Sequence, residues 1–196
     1  MSIDYAYNMK RTSGPAAEPM TTAEAKSFAR QDDDTDDTLI DTFIESAREW
    51  CEQYTRRAFI TQTWTQIIDW GFPRAIILPH PPLISVTSIT YIDTSGTSQT
   101  LAATEYTVDI QRAPGRAYEA WTKTFPTTRY IRQAVTVTYT AGYGAASTAI
   151  PAPIITACQQ LLLHMYDTRE PIVLGTISKE LEMALKTLLA PYVVRS

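Results

Sequence analysis

The chain has 196 residues, a formal net charge of −4 and 44% hydrophobic residues. That length suits one domain, or one domain with an elaborate insertion, and buries enough surface to fold without disulfides or metal. The acidic balance argues against a bulk nucleic-acid binder, and no apolar run approaches the roughly twenty residues that span a membrane.

Residues 1–20 show no sustained periodicity and contain Gly14, Pro15 and Pro19. They read as an extended N-terminal arm ordered against a partner, with plain disorder as the alternative. The first residues lack the apolar core of a signal peptide, and the composition fits a cytoplasmically made protein. Thr21 followed by Glu24 is a capping box, which predicts a short helix to about Arg30 burying Ala25, Phe28 and Ala29.

An acidic run follows: Asp32, Asp33, Asp34, Asp36 and Asp37. A Ca²⁺ loop is the tempting reading, but the glycine and distant glutamate of an EF-hand are missing, so capping and solvated charge is the expectation. Behind it Leu39, Ile40, Phe43, Ile44, Ala47, Trp50, Cys51 and Tyr54 repeat at three and four, which predicts the longest helix of the chain. The aspartates suit its N-terminus, and Arg56 and Arg57 suit its C-terminal end.

From Thr61 the period changes to two. Trp64, Ile68 and Trp70 share one side of a strand, interrupted by Gln66. Further strands are expected at Ala75–Leu78, Leu83–Ile92, Ser98–Leu101, around Tyr106–Ile110, around Ala117–Ala120 and at Gln133–Tyr139, with turns at Gly71–Pro73, Pro79–Pro82, Asp93–Thr97 and Ala113–Arg116. Helical spacing returns after Pro151, with Ile154, Ile155, Ala157, Cys158, Leu161, Leu162 and Met165 on one broad face. A last helix from about Ser178 carries Leu181, Leu185, Leu188 and Leu189 and stops before Pro191. The fold class is therefore α+β: a helical core of two N-terminal and two C-terminal helices with an inserted, mostly antiparallel β region over about 61–141. Residues 21–190 form one domain in this reading, and 191–196 form an apolar tail.

The parts of an active site are lacking. The chain has two histidines, His80 among prolines and His164 on a helix, and no GxSxG, His-Glu-x-x-His, CxxC or phosphate-loop motif. Cys51 and Cys158 fall on apolar helix faces and read as buried thiols. Trp64, Trp70, Tyr91 and Trp121 suggest either core packing or an exposed platform, so a non-catalytic binding module for carbohydrate or another protein surface is the alternative function. A small hydrolase is the least supported.

Taken in order, several pieces resemble the head–tail connector (adaptor) family of long-tailed bacteriophages and gene transfer agents. They are Glu18–Lys26, Asp37–Ile40, Ala47-Arg48, Thr55–Ala58 with Ile60–Trp64, Leu78–Leu83 with Ser85-Val86 and Tyr91, Tyr106–Asp109, Pro114–Arg116, Ala134-Val135, Tyr139–Gly144, Pro153, Tyr166 with Arg169-Glu170, and Leu188–Tyr192. Their joint order, rather than any one piece, carries the resemblance. Two departures are Arg56, where the family turns with glycine, and a short link between Glu170 and the last helix. The resemblance implies a virion structural protein without catalysis or cofactor. It implies a twelve-fold ring beneath the portal protein, meeting a stopper or tail-terminator protein, with double-stranded DNA passing through the lumen unbound and no membrane. Portal docking is then expected of Leu188, Leu189, Pro191, Tyr192, Val193, Val194 and Arg195. The acidic run becomes a candidate lining of the lumen or of a subunit interface.

Overall fold

A computed structural model describes residues 8–168 and 179–194. The fold is α+β and divides into two compact units. One combines the segment ending at Pro15 with Thr61–Tyr143; the other combines Ala16–Ile60 with the chain from Gly144 onward. The charge divides unequally between them. The sequence of the first unit carries eight basic and six acidic residues, and that of the second nine basic and fifteen acidic.

The strands all lie in the first unit. Strands β1 (Met9–Ser13), β2 (Gln62–Ile68), β3 (Ile76–Leu78), β4 (Leu83–Ile92), β5 (Ser98–Thr100), β6 (Tyr106–Asp109), β7 (Gly115–Glu119) and β8 (Val135–Ala141) form two antiparallel sheets. One has the order β1-β2-β8-β4-β5, the other β3-β7-β6. Residues 9–13, read from the sequence as part of an arm, are the edge strand β1, with Arg11 opposite Trp64. Strand β8 sits in the middle of its sheet, and Val135, Val137, Tyr139 and Ala141 are fully buried on one face while threonines take the other. The same alternation in β2 buries Gln62 and Gln66, so polar residues occupy core positions beside Trp64. Gly115 admits Leu83 so closely that a Cβ would lie 2.5 Å from its side chain. The two sheets therefore touch where only a glycine fits.

The second unit is helical: α1 (Thr22–Ala29), α2 (Asp37–Thr55), α3 (Ala152–Thr168) and α4 (Lys179–Leu189). The capping box of α1 forms as expected: the Thr21 N–H donates to Glu24 Oε2 at 2.8 Å and the Glu24 N–H to Thr21 Oγ1 at 3.2 Å. Ala25 is buried, whereas Phe28 stays 39% exposed. Helix α2 buries Ile40, Ile44, Ala47 and Cys51, which face α3 residues such as Ile154, Ala157, Cys158, Leu161 and Leu162 in one core. Each fully buried Ile or Leu there contributes about 1.5–3 kcal/mol relative to exposure.

The basic pair expected at the C-terminal end of α2 lies just past its last turn, with Arg56 as the C-cap. No basic residue lies in its last turn. Arg56 leaves the helix in the left-handed conformation, φ 56°, ψ 38°, and its N–H returns to Glu52 O. This is the residue that stands where the connector family turns with glycine, and it makes a left-handed turn without one.

Candidate functional site

The acidic run is not a free cluster of carboxylates. Lys26 of α1 reaches Asp34 Oδ1 at 2.5 Å and Asp37 Oδ1 at 2.8 Å. Those two bonds, Asp34's first, hold the Lys26 ammonium above its ordinary pKa. Asp33 accepts from the Thr35 hydroxyl and N–H, which lowers its pKa. Asp36 accepts from the Tyr166 hydroxyl of α3 at 2.9 Å. Asp36 is the N-cap of α2, yet its side chain makes no capping bond. Among the described residues no group of three or more His, Cys, Asp and Glu is arranged to hold a metal ion. The run is thus an electrostatic clasp that fixes the α1–α2 corner, with Asp32, Asp33 and Asp34 exposed along its outer side.

A second charged feature lies within the helical unit and was not singled out from the sequence. Arg48, 1% exposed, donates from Nε to Glu18 Oε2 at 2.7 Å and from Nη1 to Glu52 Oε2 at 2.9 Å. Glu45 and Glu49 stand 3.6 and 3.8 Å from Nη2. Burial disfavours the guanidinium charge, but the Glu18 hydrogen bond and the charges of Glu52 and Glu18 outweigh it and hold the pKa above the ordinary value. Glu52 Oε1 also accepts the Phe59 N–H at 2.7 Å. The Arg48–Glu52 pair therefore ties the Glu18 segment, helix α2 and the chain after Arg56 together. The signal available in sequence was Arg48 with Glu45 and Glu52 at helical spacing, on a face otherwise apolar.

The C-terminal residues fold back on their own unit. Helix α4 buries Leu185 and Leu189 completely and leaves Leu188 half-buried. Ala190–Tyr192 form a 3-10 turn containing Pro191, rather than an extended tail. The Val194 N–H donates to Thr55 O at 3.0 Å, and Arg57 Nε donates to Tyr192 O at 2.5 Å. One left-over carbonyl at the α2 terminus, that of Thr55, is thus satisfied by the chain end, and the Arg57 side chain holds the same segment. Pro153, Gln160, Met183, Leu188, Pro191 and Tyr192 line an open, largely apolar groove of about 810 Å³, with Met183 70% exposed. Of the docking residues expected from the sequence, Leu188, Pro191 and Tyr192 line this groove. Leu189 is core, Val193 and Val194 are half-buried, and Arg195 lies outside the described residues.

The aromatics of the β unit do not make one platform. Trp64 stacks on His80 at 4.0 Å, Trp70 leans on Tyr130 at 4.8 Å, and Tyr91 meets Phe72 edge-on at 5.6 Å. Trp121 is 92% exposed. Burial pushes the His80 imidazole down to about 4, so it is a neutral packing partner for Trp64 at neutral pH. His164 is half-buried on α3. Cys51 and Cys158 are free and buried, and the hydrogen bond to Cys51, then burial, push the Cys158 thiol up. A protonated buried thiol is a poor nucleophile.

Comparison with known proteins fits this architecture. Solved chains of the same fold come from gene transfer agent particles. The neck of an empty particle, computed with C6 symmetry, superposes with a TM-score of 0.76 at 19% identity over 96% of each chain. A chain from the virion of the native particle gives 0.74 at 19% identity, again over 96% of each chain. The neck of the native particle, computed with C12 symmetry, gives 0.72 at 21% identity over the same shares. No curated protein matches the chain. A family model described as head completion protein matches residues 18–171. That span runs from the glutamate bound to Arg48, through both units, to just beyond α3, and the chain belongs to the head completion protein family.

Proposed function

We propose that the protein is a head–tail connector of a virion: a ring that joins the portal protein to a stopper or tail-terminator protein and lets double-stranded DNA through. The observation that carries this reading is the family match over residues 18–171, in a chain sharing its fold with neck chains of gene transfer agent particles. Twelve copies form the ring in this reading, as the C12 symmetry of one such neck suggests. The chemistry of the helical unit agrees. Its net excess of carboxylates disfavours phosphate contacts, which suits a wall that DNA slides past. Asp32, Asp33 and Asp34 are the exposed members of the acidic run and face the lumen or the neighbouring subunit.

Portal docking uses the groove formed by Leu188, Pro191 and Tyr192 with Pro153 and Met183. An apolar groove in an acidic unit fits an apolar segment of the portal. The role is structural, with no reaction and no cofactor. Mixing the purified chain with its portal protein and imaging by negative stain tests the reading. Rings on the portal are the expected result; monomers alone, with portal present, would overturn it.

A further inference from the structure

Cys51 and Cys158 stand far apart in the sequence, with every strand from β2 to β8 between them, yet the packing of α2 on α3 brings their thiols together. Both side chains are free and fully buried. The two thiols share a hydrogen bond. Ala47 on α2 and Ala157 on α3 are small and fully buried on the same facing stripes, which lets the helices approach closely. Sulfurs already in hydrogen-bond contact have little distance to close before the roughly 2.05 Å of a disulfide. Apolar packing at this seam needs no sulfur; two thiols in contact add a covalent bond that can be made later.

We infer that Cys51 and Cys158 become joined by a disulfide once the particle has left the cell, and that this bond locks α2 to α3. Its timing rests on the virion assignment made under Proposed function: thiols stay reduced in the cytoplasm, and disulfides form and persist in oxidising surroundings. The oxidant is a hydroperoxide. The Cys158 S–H donates to Cys51, so losing the Cys158 proton costs that bond and Cys51 is the first sulfur to attack. Its sulfur takes one oxygen of hydrogen peroxide, the O–O bond breaks and a water leaves, giving a sulfenic acid. Cys158 then attacks that sulfur. The S–S bond forms, the S–O bond breaks, and hydroxide leaves with the Cys158 proton as a second water. Two thiols are oxidised and one peroxide is reduced. Burial makes the reaction slow, since the seam must open locally to admit the oxidant, and it keeps the pair reduced while the chain folds. The cross-link closes a loop that contains all of β2 to β8, and the stabilisation from a disulfide grows with the loop it closes.

The test starts with the purified full chain. Hydrogen peroxide at neutral pH is expected to lower its mass by two hydrogens and to give one linked peptide pair containing Cys51 and Cys158. The urea midpoint is expected to rise and to return when a thiol reductant is added. The Cys51→Ala/Cys158→Ala variant, treated alike, keeps its midpoint and controls for oxidation elsewhere. A pair that links only in urea, or cysteines that gain oxygen without linking, would overturn the inference. So would a linked chain whose midpoint does not move. A second arm traps thiols by alkylation in cells and in released particles. Thiols in the cell and a disulfide in the particle are the expected result; the same state in both would overturn the lock. Absence of the chain from released particles would overturn the virion assignment instead, and the peroxide result on the purified chain is read independently of it.

Discussion

Arg48 has more at stake than any other polar side chain of the helical unit. Its charge is buried and compensated by two close carboxylates and two more distant ones. A buried pair is weak evidence of net stabilisation, but removing one partner strands the other. Arg48→Met therefore keeps the volume and removes the Arg48 charge from beside Glu52, itself 8% exposed. Loss of about 3–5 kcal/mol is expected from urea unfolding. Adding Glu52→Gln removes the stranded charge while keeping an acceptor for the Phe59 N–H, and should recover about 1–2 kcal/mol. A double variant no more stable than the single one would show that repulsion at Glu52 is not the cause.

Among the elements, the junction after α2 is where sequence pattern and structure part most clearly. The basic pair Arg56-Arg57 suits the C-terminal end of α2, but the charge pattern does not show how the chain leaves the helix. Arg56, the C-cap, adopts left-handed φ, and Arg57 turns to the carbonyl of Tyr192. A residue with a Cβ costs roughly 1–2 kcal/mol in that region. Glycine would remove this cost and add about 0.4–1 kcal/mol of unfolded-state entropy. Because Arg56 is exposed, Arg56→Gly should raise stability by about 0.5–1 kcal/mol, read as a higher urea midpoint at unchanged slope. A lower midpoint would mean that the arginine side chain holds a contact worth more than the strain.

At the scale of the whole molecule, the chain end serves its own fold before it serves a partner. Val194 and Tyr192 bind the buried Thr55 carbonyl and Arg57 at the end of α2. Deleting Pro191–Ser196 is therefore expected to do two things. It should cost about 1–3 kcal/mol of stability by leaving a buried carbonyl unpaired. It should also weaken portal binding by removing one wall of the Pro153–Met183–Tyr192 groove. Separate measurement by thermal unfolding and by portal pull-down keeps the two effects apart. Portal affinity that survives the deletion would remove the C-terminal groove from the docking site.

The four helices, the capping box of α1, the α+β class and most strands were legible in the sequence, because each rests on local periodicity or on a short-range hydrogen bond. Strand β8 is the clearest case: alternating valine and threonine allow one arrangement in a central strand. Other features required distant residues to meet. Glu18 reaches Arg48 across thirty positions, Tyr166 reaches Asp36 across 130, and the chain end reaches Arg57 across 135. No period records such pairings, so the sequence showed the acidic run as capping and solvated charge but not its bonds to Lys26 and Tyr166. Exposure was the other hidden quantity. Trp64 and Trp121 are the same residue in similar Thr-rich contexts, yet one is stacked inside the β unit and the other stands out on a braced turn. Local pattern specifies which elements form, because propensity and periodicity act over a few residues. Burial, pairing and presentation of a side chain are decided only when the elements pack.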